Sequence, residues 1–186
     1  MDLAEARELD FRAKDIESTL RNSLSSLEDE EGRDTAIKLR LKAGTFFESN
    51  RLFLEAGFSW SKAARGTYLL GRLEESLNYR IKAISCFERV KVEGKDRAGK
   101  ACAWDLAMYG ERMIKKGLSK EGYERYFFIG IGMNATEEAM MRFKKYELRP
   151  IKSIKYAFDE RDRAVEVLED EGLKVNMSDG YSIITR

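Results

Sequence analysis

Apolar residues recur every three or four positions along most of this chain, the spacing that places them on one face of an α-helix. Glycines and polar runs interrupt the pattern at intervals. It therefore predicts an all-α fold of seven or eight helices. The predicted helices begin near residues 2, 34, 51, 74, 97, 119, 134 and 150.

Polar and small residues mark the expected helix ends. The first helix is predicted over residues 2–27, and the acidic run at 28–31 lies either in a loop or in the first turn of the next helix, with an acidic cation site as the sharper alternative. Gly117 is expected to end the fifth helix. Asn134 begins a new helix in this interpretation, because Glu137 three residues later completes the spacing of a capping box.

The segment between Gly117 and Asn134 is apolar on nearly every side, so it is expected to be the most buried helix. After Gly172 the apolar residues alternate with polar ones around a turn, which predicts a short β-hairpin. The expected domains are a helical repeat-like domain over residues 1–172 and a hairpin over residues 173–186. The hairpin is expected to pack on the helices, because an isolated hairpin is marginally stable in water.

The composition agrees with a helical protein. The chain has 186 residues, of which 43% are hydrophobic, and it contains a single proline. Most of its charged residues are Glu, Lys and Arg, which are good helix formers. This length is sufficient for one sizeable hydrophobic core.

Histidine is absent from the chain, and there are two cysteines, Cys86 and Cys102. Without histidine there are no histidine triads, and most zinc sites and di-iron helical bundles are excluded. The cysteines lack metal or redox spacing, so buried thiols are expected, with a disulfide as the alternative. Paired acids such as Glu74 and Glu75 are expected to stabilise helix starts. We therefore expect no enzyme activity, no metal and no cofactor.

The longest apolar run covers residues 126–133, which is far shorter than the roughly 20 residues that a membrane-spanning helix requires. The N-terminus lacks the apolar stretch of a signal peptide. These patterns favour a cytoplasmic protein with no membrane partner.

Residues 57–90 contain small and large residues in the order expected of two helices folded back on each other. Where antiparallel helices cross closely, Gly, Ala or Ser allows their backbones to approach. The pattern consists of Trp60, Ala64, Tyr68, Gly71, Leu73, Ser76 and Ala83. This spacing resembles a tetratricopeptide repeat, with Gly71 at the turn between its helices.

A weaker copy of the pattern lies at residues 103–136, displaced by 46 residues rather than by the usual period of about 34. Its members are Leu106, Gly110, Gly117, Gly122 and Tyr126. The layout resembles the divergent repeats of vesicle-fusion adaptors of the SNAP type. The resemblance implies a short α-solenoid that binds peptides on the concave surface of its first helices. A generic helical bundle is the alternative.

The resemblance also indicates which residues would contact a partner. The third helix would line the groove with one face and the fifth helix would add two residues. The predicted contacts are Phe58, Ser61, Arg65, Tyr68, Trp104 and Glu111. Phe58 and Trp104 are alternatively part of the core.

The net charge is only +1, but its distribution is uneven. Residues 142–155, the basic segment, hold six bases and one acid. The bases are Arg142, Lys144, Lys145, Arg149, Lys152 and Lys155. Three interpretations of these bases are open. They lie on a solvated helix surface that is attracted to the acidic ends of the chain, or they line a groove for an acidic peptide. Alternatively they form a nucleic-acid surface, with Tyr146 and Tyr156 as stacking rings.

The function that these patterns favour is a protein–protein interaction scaffold that binds a peptide or a partner protein. The alternative is a nucleic-acid or phosphate-binding helical module that uses the basic segment. Self-association through the sixth helix or the hairpin is a further expectation, because the helix is unusually apolar and the hairpin requires a packing partner.

Overall fold

The computed structural model describes most of the chain: residues 1–20, 27–91, 94–178 and 181–185, without the side chains of 27, 28, 176–178 and 181–185. Within these ranges there are seven α-helices and two short strands, and the prediction of an all-α fold is confirmed. The helices are α1 (Leu3–Thr19), α2 (Leu27–Ser49), α3 (Phe53–Leu69), α4 (Leu73–Glu88), α5 (Lys95–Leu118), α6 (Gly122–Lys145) and α7 (Lys152–Asp170). The strands are β1 (Lys174–Ser178) and β2 (Tyr181–Thr185).

The first helix begins with a capping box. The Asp2 carboxylate accepts a hydrogen bond from the Glu5 amide at 2.9 Å, and the Glu5 carboxylate accepts one from the Asp2 amide at 2.7 Å. Two amide groups that a helix start would leave unbonded are thereby satisfied.

The predicted first helix over residues 2–27 is too long. It ends at Thr19, and Leu27 opens α2 instead, while residues 21–26 lie outside the described ranges. The acidic run at 28–31 therefore belongs to the first turns of α2. The carboxylates of Asp29, Glu30 and Glu31 lie near the positive end of the helix dipole, where acidic groups are favoured.

One helix, α6, replaces two predicted ones. Asn134 lies inside it rather than at a helix start, so the capping-box prediction is wrong at this position. The end of α5 was predicted closely: the helix ends at Leu118, one residue beyond the predicted stop, and Gly117 is buried in its last turn. A Cβ at Gly117 would lie 2.8 Å from the Arg125 carbonyl oxygen, and one at Gly132 would lie 2.6 Å from the Gly110 carbonyl oxygen. These glycines allow α5 and α6 to cross closely, and both helices continue through the contact.

Contacts between residues divide the chain into two compact units, Met1–Ala98 and Gly99–Arg186. In the first unit α1 packs against α2, α2 against α3 and α3 against α4. The core combines a few large side chains with many alanines that are completely buried, which brings the helices close together. The largest members are Ile37, Phe47, Trp60, Leu77 and Phe87, and the alanines are Ala6, Ala13, Ala43, Ala56, Ala63, Ala64 and Ala83.

In the second unit α5, α6 and α7 surround an apolar cluster. Its buried members are Ile114, Ile129, Met133, Ala164 and Leu168, and Leu173 and Val175 pack against them. The backbones of β1 and β2 pair antiparallel in the register Lys174↔Thr185 to Ser178↔Tyr181.

The expectation that the sixth helix is the most buried element is wrong. Near the start of α6, Tyr123 is 80% exposed and Phe127 is 49% exposed. Its neighbours cover the sides that carry Ile129 and Met133 and leave these two rings in solvent. None of the helices in the described ranges is long and apolar enough to cross a bilayer.

Candidate functional site: the outer side of α3 and the basic segment

Two sides of α3 are occupied by neighbouring helices. A Cβ at Gly57 would lie 2.5 Å from the Phe87 ring of α4, and one at Gly66 would lie 2.9 Å from Ile37 of α2. The predicted partner contacts of this helix share the remaining side, which we call the α3 face. Its members are Phe58, Ser61, Arg65 and Tyr68.

Exposure increases along the α3 face from its first to its last residue. Phe58 and Ser61 are half-buried, whereas Arg65 and Tyr68 are exposed. The Phe58 ring makes an edge contact with Phe87, with centroids 5.2 Å apart. Phe58 therefore contributes to the packing of α3 on α4, and the accessible part of the face begins at Ser61.

A buried arginine holds α1 beside this helix. Arg40 of α2 is 1% exposed, and its Nε and Nη2 donate to the Glu17 carboxylate at 3.1 and 2.8 Å. Its Nη1 pairs with Asp10, which also accepts a hydrogen bond from Ser59 Oγ of α3 at 2.9 Å. Side chains from α1, α2 and α3 thus meet in one ion-pair network.

This network leaves the α3 face with a cationic border. Burial alone would lower the pKa of Arg40, but the hydrogen bonds that it donates to the two α1 carboxylates, Glu17 and Asp10, raise the pKa above its ordinary value. The pKa of Lys62, whose side chain reaches solvent, is lowered, first by desolvation and then by the Arg40 charge. Arg65 is exposed, and the Arg97 guanidinium lies 4.7 Å from the Phe58 ring centroid. Because Arg40 already pairs with the nearby carboxylates, an anionic group is the electrostatic complement of this surface.

The two predicted contacts on α5 belong to the second unit. Trp104 is half-buried and packs against Phe143, with ring centroids 5.4 Å apart. Glu111 is 4% exposed and accepts from Lys115 Nζ at 2.5 Å. Burial lowers the pKa of Lys115, but hydrogen bonds with Glu111 and Tyr156 raise it overall. The Glu111 carboxylate therefore forms part of the internal packing of this unit.

The small residues of the first two-helix pattern lie at the crossing of α3 and α4. Ser76 Oγ donates to the Ala64 carbonyl oxygen at 2.7 Å, and Ala64, Ser76 and Ala83 have no exposed surface. Gly71 adopts a left-handed φ of 73° at the turn. This packing is what the pattern requires of its small positions.

In the weaker copy only some of the small residues lie at a helix crossing. Gly110 is buried at the crossing of α5 and α6, but Gly122 is exposed at the start of α6, and a Cβ there would meet no atom within 4 Å. Placing Gly122 at a helix crossing was therefore wrong. Gly117 and Gly132 occupy the close contact instead, because α5 continues to Leu118 and α6 begins only at Gly122.

The basic segment joins the end of α6 to the start of α7. Arg142 pairs with Glu138 at 2.5 Å, whereas the other five bases of the segment are exposed: Lys144, Lys145, Arg149, Lys152 and Lys155. The bases at the end of α6 lie at the negative end of the helix dipole, where cations are favoured.

Of the two predicted stacking rings, Tyr146 is engaged in packing and Tyr156 is partly accessible. A Cβ at Gly99 would overlap the Tyr146 hydroxyl, so Tyr146 packs directly on α5. Lys115 Nζ lies 4.7 Å from the Tyr156 ring centroid and occupies one face of that ring. Tyr146 is therefore not available for stacking, whereas Tyr156 is 45% exposed and has one face covered by Lys115.

Sequence reasoning did not identify Arg40 or Ile151 as important residues. Arg40 falls on the apolar stripe of α2, between Ile37 and Gly44, and a lone base on such a stripe facing an acid-rich helix was a detectable signal. Ile151 is 57% exposed within the basic segment. A single isoleucine after a proline gives no comparable signal.

The described residues offer no group of three or more Cys, Asp or Glu side chains arranged to hold a metal ion. Cys86 and Cys102 are buried thiols and do not form a disulfide. Burial, and to a smaller extent the Glu48 charge, raises the pKa of Cys86 to about 11. This thiol is therefore protonated near neutral pH and is a poor nucleophile.

Comparison with known proteins gives no relative: no family model, curated protein or solved structure matches this chain.

Proposed function

We propose that the protein is a non-enzymatic, cytoplasmic interaction scaffold that binds an acidic peptide or an acidic segment of a partner protein on the α3 face. The supporting observation is that Arg65 and Tyr68 are exposed on the part of the α3 face beyond the Phe58 contact with α4. Lys62 and Arg97 extend the positive charge on either side. An exposed tyrosine among arginines is also typical of the residues that contribute most to binding.

The packing of α3 on α4 supports the further proposal that residues 57–90 are a divergent tetratricopeptide-like repeat in a short α-solenoid. The short distance between these helices depends on Ala64 and Ser76, and the two first helices, α1 and α3, are connected by the Asp10–Ser59 hydrogen bond. Adjacent first helices are what a concave peptide-binding surface requires.

The test is selection of peptides from a random display library on the immobilised full chain, followed by fluorescence polarisation with the selected peptides. We expect acidic peptides, and we expect Arg65→Glu to weaken their binding by about ten-fold or more, as loss of a central charged contact does. Lys42→Glu is the matched control, since Lys42 is exposed on α2. Equal affinity of the Arg65→Glu and unmodified proteins would contradict the proposal.

A second candidate function is phosphate or nucleic-acid binding by the basic segment. It is favoured by five exposed bases against the single acid Glu147. The packing of Tyr146 on α5 and the lysine on one face of Tyr156 favour contacts to phosphate over base stacking. Retention on a phosphate matrix that falls steeply with salt would support this function, and no retention at low salt would exclude it.

Self-association through α6 is a third proposal. Tyr123 and Phe127 stack with their centroids 6.1 Å apart and are exposed together. Lys120 and Glu124 flank them, 3.9 Å apart, so the surface carries both signs of charge and is complementary to itself. Sedimentation velocity should show a dimer at high concentration that the Tyr123→Ser/Phe127→Ser variant lacks.

A further inference from the structure

We infer that the basic segment is a docking surface for an anionic phospholipid bilayer, which it contacts from outside without a membrane-spanning helix. This inference rests on the second candidate function, phosphate binding by the same residues, and it names the source of the phosphate. It departs from the expectation that the protein has no membrane partner, which concerned spanning helices and signal peptides.

The charge of the segment is not neutralised within the described part of the chain. Arg142 is paired with Glu138, but no carboxylate lies within ion-pair distance of Lys144, Lys152 or Lys155 among the described side chains. All three lysines are exposed. A surface of unpaired cations attracts the phosphate groups of anionic lipids, and each cation near such a membrane contributes separately.

The start of α7 reinforces this attraction. Its first turn contains no acidic residue, and its N-cap, Ile151, has no side chain that can accept a hydrogen bond from the helix amides. Lys152 and Lys155 stand instead at the positive end of the helix dipole, which is unfavourable for cations. A phosphate placed here would interact favourably with the helix end and with both lysines.

An exposed apolar side chain at the centre of the segment favours a bilayer over a nucleic acid. Ile151 is 57% exposed, and it lies between the bases Arg149 and Lys152. Apolar side chains surrounded by bases are typical of proteins that bind at the membrane interface, where the apolar group enters the boundary between headgroups and acyl chains. Aromatic stacking, which binding of a single-stranded nucleic acid favours, is limited here, because Tyr146 packs on α5 and Lys115 covers one face of the exposed Tyr156 ring.

The experiment is co-sedimentation of the full chain with vesicles of phosphatidylcholine, alone or with about one third phosphatidylserine, a composition that gives a negative surface potential. We expect binding only to the anionic vesicles, and we expect high salt to weaken it. The Lys152→Gln/Lys155→Gln variant should bind the anionic vesicles roughly 30-fold more weakly, because each lysine contributes about five-fold to the affinity. Ile151→Ser should reduce vesicle binding by about five-fold.

Controls separate this inference from the function on which it rests. Lys42→Gln/Lys91→Gln removes the same charge from exposed positions of the first unit and should bind vesicles like the unmodified protein. An equal loss in this control would overturn the inference. Binding to single-stranded DNA or a phosphate matrix without binding to anionic vesicles would also overturn it, while the phosphate-binding function would stand. No binding to any of these probes would exclude both. Circular dichroism verifies that each variant is folded.

Discussion

Arg40 is the largest completely buried side chain of the first unit, and it determines how α1 is attached. The buried apolar residues that α1 contributes are small, Ala6 and Ala13, with Leu20 just beyond its end. Alanines allow close approach but bury little apolar area. The position of α1 on α2 therefore depends strongly on the bidentate pair between Arg40 and Glu17.

Arg40→Met is expected to destabilise the protein. The Asp10 and Glu17 carboxylates would lose their common partner, and we expect the free energy of unfolding to fall by about 2–3 kcal/mol. This loss is smaller than for a completely buried ion pair, because the two carboxylate side chains are about one third exposed. The measurement is the free energy of unfolding in urea. Arg72→Met is the matched control: it removes the exposed pair with Asp34 and should cost about 0.5 kcal/mol or less. Equal losses for both variants would refute the role of Arg40.

Gly110→Ala tests the close contact between α5 and α6. The added Cβ would lie 2.6 Å from the Gly132 carbonyl oxygen, and backbone atoms cannot move aside, so we expect a loss of about 3 kcal/mol. Gly122→Ala is the comparison, because its Cβ meets nothing within 4 Å and only its left-handed φ costs about 1 kcal/mol. Thermal unfolding followed by circular dichroism measures both. A smaller loss for Gly110→Ala than for Gly122→Ala would show that the contact is looser.

At the level of elements, α7 begins less favourably than α1. Asp2 and Glu5 form a capping box at the start of α1, whereas α7 has an isoleucine at its N-cap and lysines in its first turn. The same positions carry the proposed lipid contact. The residues at the start of α7 thus lower the stability of the free protein at the position where they would contact lipid, as is common at functional sites.

Ile151→Ser should therefore stabilise the free protein. Ile151 already has the extended conformation of an N-cap, with φ −77° and ψ 173°, so the serine hydroxyl could accept a hydrogen bond from the first turn of α7 and contribute about 1 kcal/mol. A rise in the thermal midpoint is expected, together with the weaker vesicle binding described above. Ile151→Val, which supplies no acceptor, should leave the midpoint almost unchanged. A lower midpoint for the serine variant would contradict this account of the helix start.

For the whole molecule, the two units have different cores. The first unit uses alanine-rich crossings, a buried ion-pair network and aromatic rings, whereas the second uses a cluster of aliphatic residues around Ile114 and Leu168. Each unit contains one of the two candidate surfaces: the α3 face in Met1–Ala98 and the basic segment in Gly99–Arg186. Variants on one surface should therefore leave binding to the other unchanged.

Local stability should follow the same division. Arg40→Met is expected to increase amide hydrogen exchange in peptides from α1 to α3 and to change little in α6 and α7, because separate groups of contacts open separately. Hydrogen exchange followed by mass spectrometry measures both units in one experiment. A uniform increase along the chain would indicate a single cooperative unit. Arg72→Met again serves as the control and should change neither unit appreciably.

Local signals in the sequence predicted part of this structure well. The end of α3 before Gly71 and the end of α7 before Gly172 were recognisable, since both glycines adopt left-handed φ values of 73° and 77°. The break between α2 and α3 after Ser49 was also recognisable. The α3 face followed from periodicity alone, because three- and four-residue spacing places Ser61, Arg65 and Tyr68 on one side of any helix.

The sequence by itself determined that the chain is helical, where α2, α3 and α7 end and which residues share the α3 face, because these depend on neighbours within a few positions. Only the tertiary structure decided the rest. Asn134 has the local character of a helix boundary, yet it lies inside α6, which continues past its close contact with α5. Arg40 and Glu17 form their ion pair although they are 23 residues apart in the chain. Ile151 is exposed because the apolar cluster of the second unit is built from other residues of α5, α6 and α7. Such outcomes depend on which distant surfaces meet, and a single sequence carries little local signal for that.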